Sequence, residues 1–264
     1  MARRRPLYIG DVRTIDLNAD LGEGFAHYRA AGDAELLPLV TSANIACGFH
    51  AGDPIVMRET VAAATRAGVT IGAHPGYPDL LGFGRRDLDA SPAEITAYVI
   101  YQIGALDAVC RAAGTSLRYV KPHGALYNRA AADPVVATAI ATALQLVNPT
   151  LTLLGLANSC LISAAKAAGL ATASEAFADR RYRRDGTLAP RSIPGAVLTD
   201  AATVADRATR LALDGRVDTI DGGDLTIHAD SLCVHGDTPG ALTLLHAVRA
   251  RLSTAGIHVA PFAP

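Results

Sequence analysis

Residues 44–54 read NIACGFHAGDP, an apolar run that closes on His50 and passes through Gly52 to Asp53-Pro54. The Asp-Pro pair is a helix start: a cap carboxylate accepts a free backbone N–H, and proline at the first helical position forfeits no hydrogen bond. A buried strand that hands over to a helix through a polar elbow is one unit of a parallel α/β fold. The same grammar recurs along the chain. Ser91-Pro92, Asp133-Pro134 and Thr238-Pro239 mark further helix starts, and Ser91-Pro92-Ala93-Glu94 has capping-box spacing. Gly68, Gly114, Gly169 and Gly215 stand where helices should stop. Short apolar runs at 14–18 (TIDLN), 69–73, 117–121, 151–154 and 231–235 suit buried strands, and 256–260 is either a closing strand or a tail. After Pro54, Met57, Val61 and Ala64 fall on one helical face. About seven strand–helix units fit, with no low-complexity linker between them. A single β/α barrel is the most economical α/β architecture, with a doubly wound open sheet as the alternative.

Composition narrows the function classes. Half of the 264 residues are apolar but only 5% are aromatic and none is Trp, so the core is built from Ala, Val, Leu and Ile. With 24 basic and 25 acidic residues the net charge is −1, which argues against general nucleic-acid or membrane-surface binding. MARRR at the start is followed by no apolar segment of a secretory signal, and no run approaches a membrane span. The four cysteines (Cys47, Cys110, Cys160, Cys233) are widely spaced, form no CxxC pair, and read as free thiols in a cytoplasmic protein. Walker A, HExxH and GxSxG runs are all absent, and Asp221-Gly222-Gly223 reads as a turn.

Parallel β/α folds place chemistry at the C-terminal ends of their strands. Polar clusters fall there repeatedly: DLNADLGE (16–23), NIACGFHAGDP (44–54), GAHPGYPD (72–79), VKPHGALYN (120–128), EAFADRRYR (175–183) and CVHGDTP (233–239). Each has a plain account. Asp53 taken alone is better read as a helix cap, His74 and His123 as turn residues beside proline, Cys47 and Cys233 as small core residues, and the arginines at 180–184 as a solvated loop. Coincidence shifts the balance, because His50, His74, His123 and His235, four of eight histidines, all lie at or just after a strand end. Lys121 adds a weaker hint, since the chain has 22 Arg and only two Lys, so a retained ammonium has a reason to be there.

These clusters, in this order, resemble those of the LamB/YcsF family. The resemblance runs from about Thr14 to Pro261, which makes 1–13 an N-terminal extension and 14–264 a single barrel domain. It implies a seven-stranded β/α barrel similar to the glycoside hydrolase/deacetylase barrels. It also implies one component of a 5-oxoprolinase, which opens 5-oxo-L-proline (pyroglutamate) to L-glutamate with ATP as co-substrate and with partner subunits B and C. A lactam is a stable amide, and phosphorylation of its carbonyl oxygen would make the carbon electrophilic. In that chemistry Lys121, Arg85, Arg86 and Arg180 are anion partners, and Asp237 joins the substrate and phosphate contacts. Asp20 with His50, or Asp53 with His74, would form base-and-orienter pairs, and His123 and His235 would protonate the departing ring nitrogen. Asp16, Asn18 and Glu23 would position substrate or a divalent metal, whose requirement stays open. Two rivals remain: a metal-dependent deacetylase or hydrolase on a similar barrel, separated by metal analysis, and a non-catalytic lactam-binding component, separated by rim substitutions that spare binding.

Overall fold

The structure, a computed structural model, describes residues 8–9, 12–26, 32–234 and 240–263. His235, Asp237 and the Thr238-Pro239 helix start therefore lie outside the described residues. Seven parallel strands close into a barrel: β1 (Val12–Leu21), β2 (Ser42–Ala46), β3 (Thr70–His74), β4 (Tyr119–Val120), β5 (Thr152–Leu156), β6 (Thr172–Phe177) and β7 (Ser231–Cys233). The pairing of β1 with both β2 and β7 closes the ring and rules out the open-sheet alternative. The tail is a strand too, since His258–Val259 pairs in parallel with Thr14–Ile15.

Helices cover the outside: α1 (Asp33–Leu36), α2 (Pro54–Ala67), α3 (Pro92–Ala112), α4 (Gly124–Ala132), α5 (Pro134–Val147), α6 (Cys160–Ala167), α7 (Ala201–Asp214) and α8 (Ala241–Thr254). The expected punctuation is present. Ser91 and Glu94 form a reciprocal capping box, Asp133 accepts from Val135 N–H, and Gly68 and Gly215 close their helices in the left-handed conformation. Gly222 and Gly223 lie in the turn between two short antiparallel strands, Arg216–Asp218 and Asp224–Thr226.

Strand alternation sorts the barrel into two environments. Along β1, Ile15, Leu17, Ala19 and Leu21 join the apolar core, while Asp16, Asn18 and Asp20 take the opposite face. The register places Asn18 beside Ser42 and Cys233, Asp20 beside Asn44, and Ala46 beside His74. The inward face is thus polar where a β/α barrel more often carries branched apolar layers. Its lower end is apolar, where Tyr119, Leu154 and Ala173 pack with Phe262 from the C-terminal tail. Gly72 makes room for this arrangement, because a Cβ there would lie 2.2 Å from the Tyr119 ring.

Candidate active site

Four of the six polar clusters bring their side chains to one place at the C-terminal ends of the strands. β3 ends on His74, and the elbows after β2 and β4 deliver His50 and His123. All three imidazoles are buried, and His50 and His123 stack in parallel with centroids 3.7 Å apart. His74 Nδ1 lies 2.8 Å from the Lys121 carbonyl oxygen, and His123 Nε2 lies 2.8 Å from the Phe83 carbonyl oxygen. Their other nitrogens, His74 Nε2 and His123 Nδ1, face each other at 3.0 Å.

Two carboxylates serve this group. Asp20 Oδ1 is 3.3 Å from His74 Nε2, while Glu23 Oε1 is 3.3 Å from His50 Nε2 and 3.5 Å from His123 Nδ1. The pairings are therefore Asp20 with His74 and Glu23 with His50, a correction to the pairs expected from sequence. Asp53 is used otherwise: Oδ1 accepts from Ile55 and Val56 N–H at 2.7 and 2.9 Å, and Oδ2 accepts from Ala26 N–H at 2.8 Å. Its carboxylate caps α2 and ties down the segment that follows β1. Burial, reinforced by the neighbouring imidazoles, holds His50 and His123 well below the usual histidine range, which favours neutral rings. One donor atom each from Glu23, His50, His74 and His123 lies within 4.8 Å of the others, a group able to hold a metal.

Beneath the imidazoles runs a buried network. Lys121 Nζ lies 2.9 Å from Glu175 Oε1, 3.1 Å from Asp20 Oδ1, 3.1 Å from Asn18 Oδ1 and 3.3 Å from Cys233 Sγ. Burial opposes its ammonium, but the two carboxylates outweigh burial and raise it well above the usual lysine range. Lys121 is thus an ionic partner inside the network more than a contact for an incoming anion. Asn18 donates to Glu175 and Ser231, Asn44 donates to Asn18 and Asp20, Tyr119 donates to Asn44, and Tyr127 donates to Glu175. Asp16 closes the network, accepting from the hydroxyls of Thr41, Ser42 and Ser231. Complete pairing of this kind rigidifies a polar interior.

Above it opens a cavity of about 460 Å³, lined among others by Asp20, His74, His123, Arg85, Arg180 and Arg191. Arg180 is buried, donates from Nη2 to Ala189 O at 2.6 Å, and has no partner for Nε among the described residues. Burial, with Arg191 alongside, pulls it down to about 10. Arg86 stands apart, since its guanidinium pairs with the buried Asp79 across the loop between β3 and α3. Sequence reasoning left Glu175, Asn44, Tyr119, Tyr127 and Ser231 without roles. For Glu175 the available signal was a lone carboxylate within the strand TASEAF.

Known proteins share this barrel and much of its sequence. Residues 15–264 match the LamB/YcsF family. The A subunit of 5-oxoprolinase from Heliobacterium modesticaldum is 56% identical over 245 residues, 93% of this chain and 96% of that protein. Its counterpart from Brevibacillus brevis, also named as the A subunit of 5-oxoprolinase, is 53% identical over 249 residues, 94% of this chain and 98% of that protein. Among solved structures, the lactam utilization protein from Thermus thermophilus matches with a TM-score of 0.90 at 48% identity, covering 94% of this chain and 100% of that one.

Proposed function

The chain belongs to the LamB/YcsF family, and on that premise we propose that it is the A subunit of a 5-oxoprolinase. Together with subunits B and C it opens 5-oxo-L-proline to L-glutamate, with ATP as co-substrate of the assembled enzyme. One observation carries the reading beyond family membership. The cavity has an arginine rim of Arg85, Arg180 and Arg191 over a floor of Asp20, His74 and His123. A small cyclic amide that bears a carboxylate needs this division. The rim attracts the carboxylate and any phosphate on the activated carbonyl oxygen. The floor supplies an acid–base group next to the scissile C–N bond.

In this reading Asp20 takes a proton from the attacking water and passes it to the ring nitrogen as the C–N bond breaks. Lys121 and Asn44, both bonded to Oδ1 of Asp20, hold that carboxylate in place. Arg180 is the anchor for the substrate carboxylate, because it lines the cavity with its guanidinium seated against Ala189 O. The test is ATP-dependent glutamate release by the chain reconstituted with B and C. Asp20→Asn should lower turnover by roughly 10²- to 10⁴-fold while the complex still assembles. Arg180→Met should instead raise KM for 5-oxo-L-proline. Full turnover in both variants would remove the cavity from the chemistry.

A further inference from the structure

We propose that Glu23, His50, His74 and His123 form a binding site for one divalent transition-metal ion of the zinc class. The inference deepens the function proposed above by giving the floor of that cavity a metal centre, but it stands on the geometry of the four side chains alone.

The ring protons are placed by backbone carbonyls. A backbone carbonyl only accepts, so the 2.8 Å contacts to Lys121 O and Phe83 O put a proton on His74 Nδ1 and on His123 Nε2. The remaining nitrogens, His74 Nε2 and His123 Nδ1, are 3.0 Å apart, and each carries a lone pair whenever its ring is neutral. With both rings neutral, two lone pairs at that distance have no hydrogen bond to share. A cation between them converts the repulsion into two bonds. The carbonyl contacts are also the outer partners that fix ring orientation in metal-ligating histidines.

The spacing of the donor atoms suits such an ion. A tetrahedral ion with bonds of about 2.0–2.1 Å has ligand–ligand edges of about 3.3–3.4 Å. The separations observed are 3.0 Å for His74–His123, 3.3 Å for His50–Glu23 and 3.5 Å for His123–Glu23, and all four donor atoms fall within 4.8 Å. His50 presents its outer nitrogen to the same point. Its Nδ1 is buried with no partner among the described residues. With the ring oriented by stacking on His123, Nε2 remains the nitrogen turned toward Glu23. Three imidazoles and one carboxylate are a donor set for zinc-class ions, whereas magnesium and calcium prefer oxygen. The site lies apart from the thiols, since the Cys233 sulfur is engaged with Lys121.

The experiment uses the full chain without a polyhistidine tag, stripped with chelator, and titrated with Zn²⁺ by calorimetry near pH 7.5. The expected result is one ion per chain and a rise in thermal midpoint that saturates at the same stoichiometry. Co²⁺ in the same pocket should give visible d–d absorption without sulfur-to-metal charge transfer. Glu23→Gln and His74→Gln should each weaken zinc binding by at least about 100-fold, more than loss of an outer-shell partner costs. Asp133→Asn, at a distant helix cap, should bind like the unaltered chain. Circular dichroism of the stripped variants separates loss of ligand from loss of fold. Absence of stoichiometric binding, or binding that survives in folded Glu23→Gln and His74→Gln, overturns the proposal. Neither lactam, ATP nor partner subunits enter the assay, so its outcome is independent of the oxoprolinase reading.

Discussion

At the scale of single residues, Asp16 shows what burying a polar barrel interior costs. Burial pushes its carboxyl up to about 6, although the hydroxyls of Ser231, Ser42 and Thr41 pull the other way. Since the ordinary value is about 3.9, the folded state holds this proton more tightly than the unfolded chain does. The stability that follows is fully present below about pH 4 and is lost as pH rises to about 6, a change of roughly 3 kcal/mol. Urea unfolding from about pH 4 to 7 should therefore show the unaltered chain losing ground to Asp16→Asn, and a pH-independent difference would sink the argument. Asp53 carries a second prediction. Its oxygens receive three backbone N–H groups, and Asn can cap α2 but offers an amide N–H where Ala26 N–H needs an acceptor. Asp53→Asn should lose about 1 kcal/mol by thermal unfolding, the usual scale of a lost hydrogen bond. Its turnover should stay within a few-fold of normal, and a collapse of turnover at unchanged stability would restore the charge to the chemistry. The histidines were legible in sequence because each sits in a Pro- or Gly-bearing elbow. Lys121 was legible because lysine is so rare here, with two in the chain. Glu175 was not, because a carboxylate inside a short strand has no local mark until Lys121 and Tyr127 reach it from other parts of the barrel.

At the scale of elements, the loop between β3 and α3 shapes the site and carries Arg85 to the cavity. Asp79 accepts from Gly82 N–H and pairs with Arg86, which folds residues 79–86 back over the imidazoles. Gly84 makes the closest approach. Its φ is +61°, its carbonyl accepts from Ala125 N–H at 2.9 Å, and a Cβ there would lie 2.6 Å from His50 Cβ and 2.9 Å from His123 Cδ2. Gly84→Ala should displace the stacked rings and lower turnover of the assembled enzyme by roughly 100-fold, the scale of a 1 Å misplacement. Gly68→Ala is the control: φ is similar at +67° and no atom lies within 4 Å of the added Cβ, so it should cost stability but not turnover. Comparable kinetics for the two variants would show that crowding at Gly84 does not matter. Helix boundaries were readable because capping chemistry is local, as Asp53-Pro54, Ser91-Pro92 and Asp133-Pro134 all start helices. Strands β2 and β6 were harder to see. SANIA is polar at Ser42 and Asn44, and TASEAF at Thr172, Ser174 and Glu175, so neither reads as a continuous apolar run.

At the scale of the whole molecule, closure of the barrel is what assembles the site. Seven short strands bring residues from opposite ends of the sequence into one network, as Asp16 and Ser231 illustrate. In the proposed function, that convergence supplies an acid–base floor and an arginine rim for opening an amide already made electrophilic. Activating the amide is a different task. It requires a nucleotide held with its terminal phosphate in line with the lactam oxygen, and the sequence contains no Walker A run to cradle one. The relatives named as the A subunit of 5-oxoprolinase match over nearly their whole length, at 96% and 98% coverage, so their name describes a chain of this extent as one part of an assembly. The isolated chain should therefore release negligible glutamate from 5-oxo-L-proline, with or without ATP. Subunits B and C without it should be equally ineffective in glutamate release, and the three together should release glutamate and phosphate in step. The measurement is paired glutamate and phosphate analysis on the chain, on B with C, and on the mixture. Robust ATP-stimulated release by the purified chain alone would place activation as well as ring opening within this barrel, and would make the arginine rim the first place to look for the nucleotide.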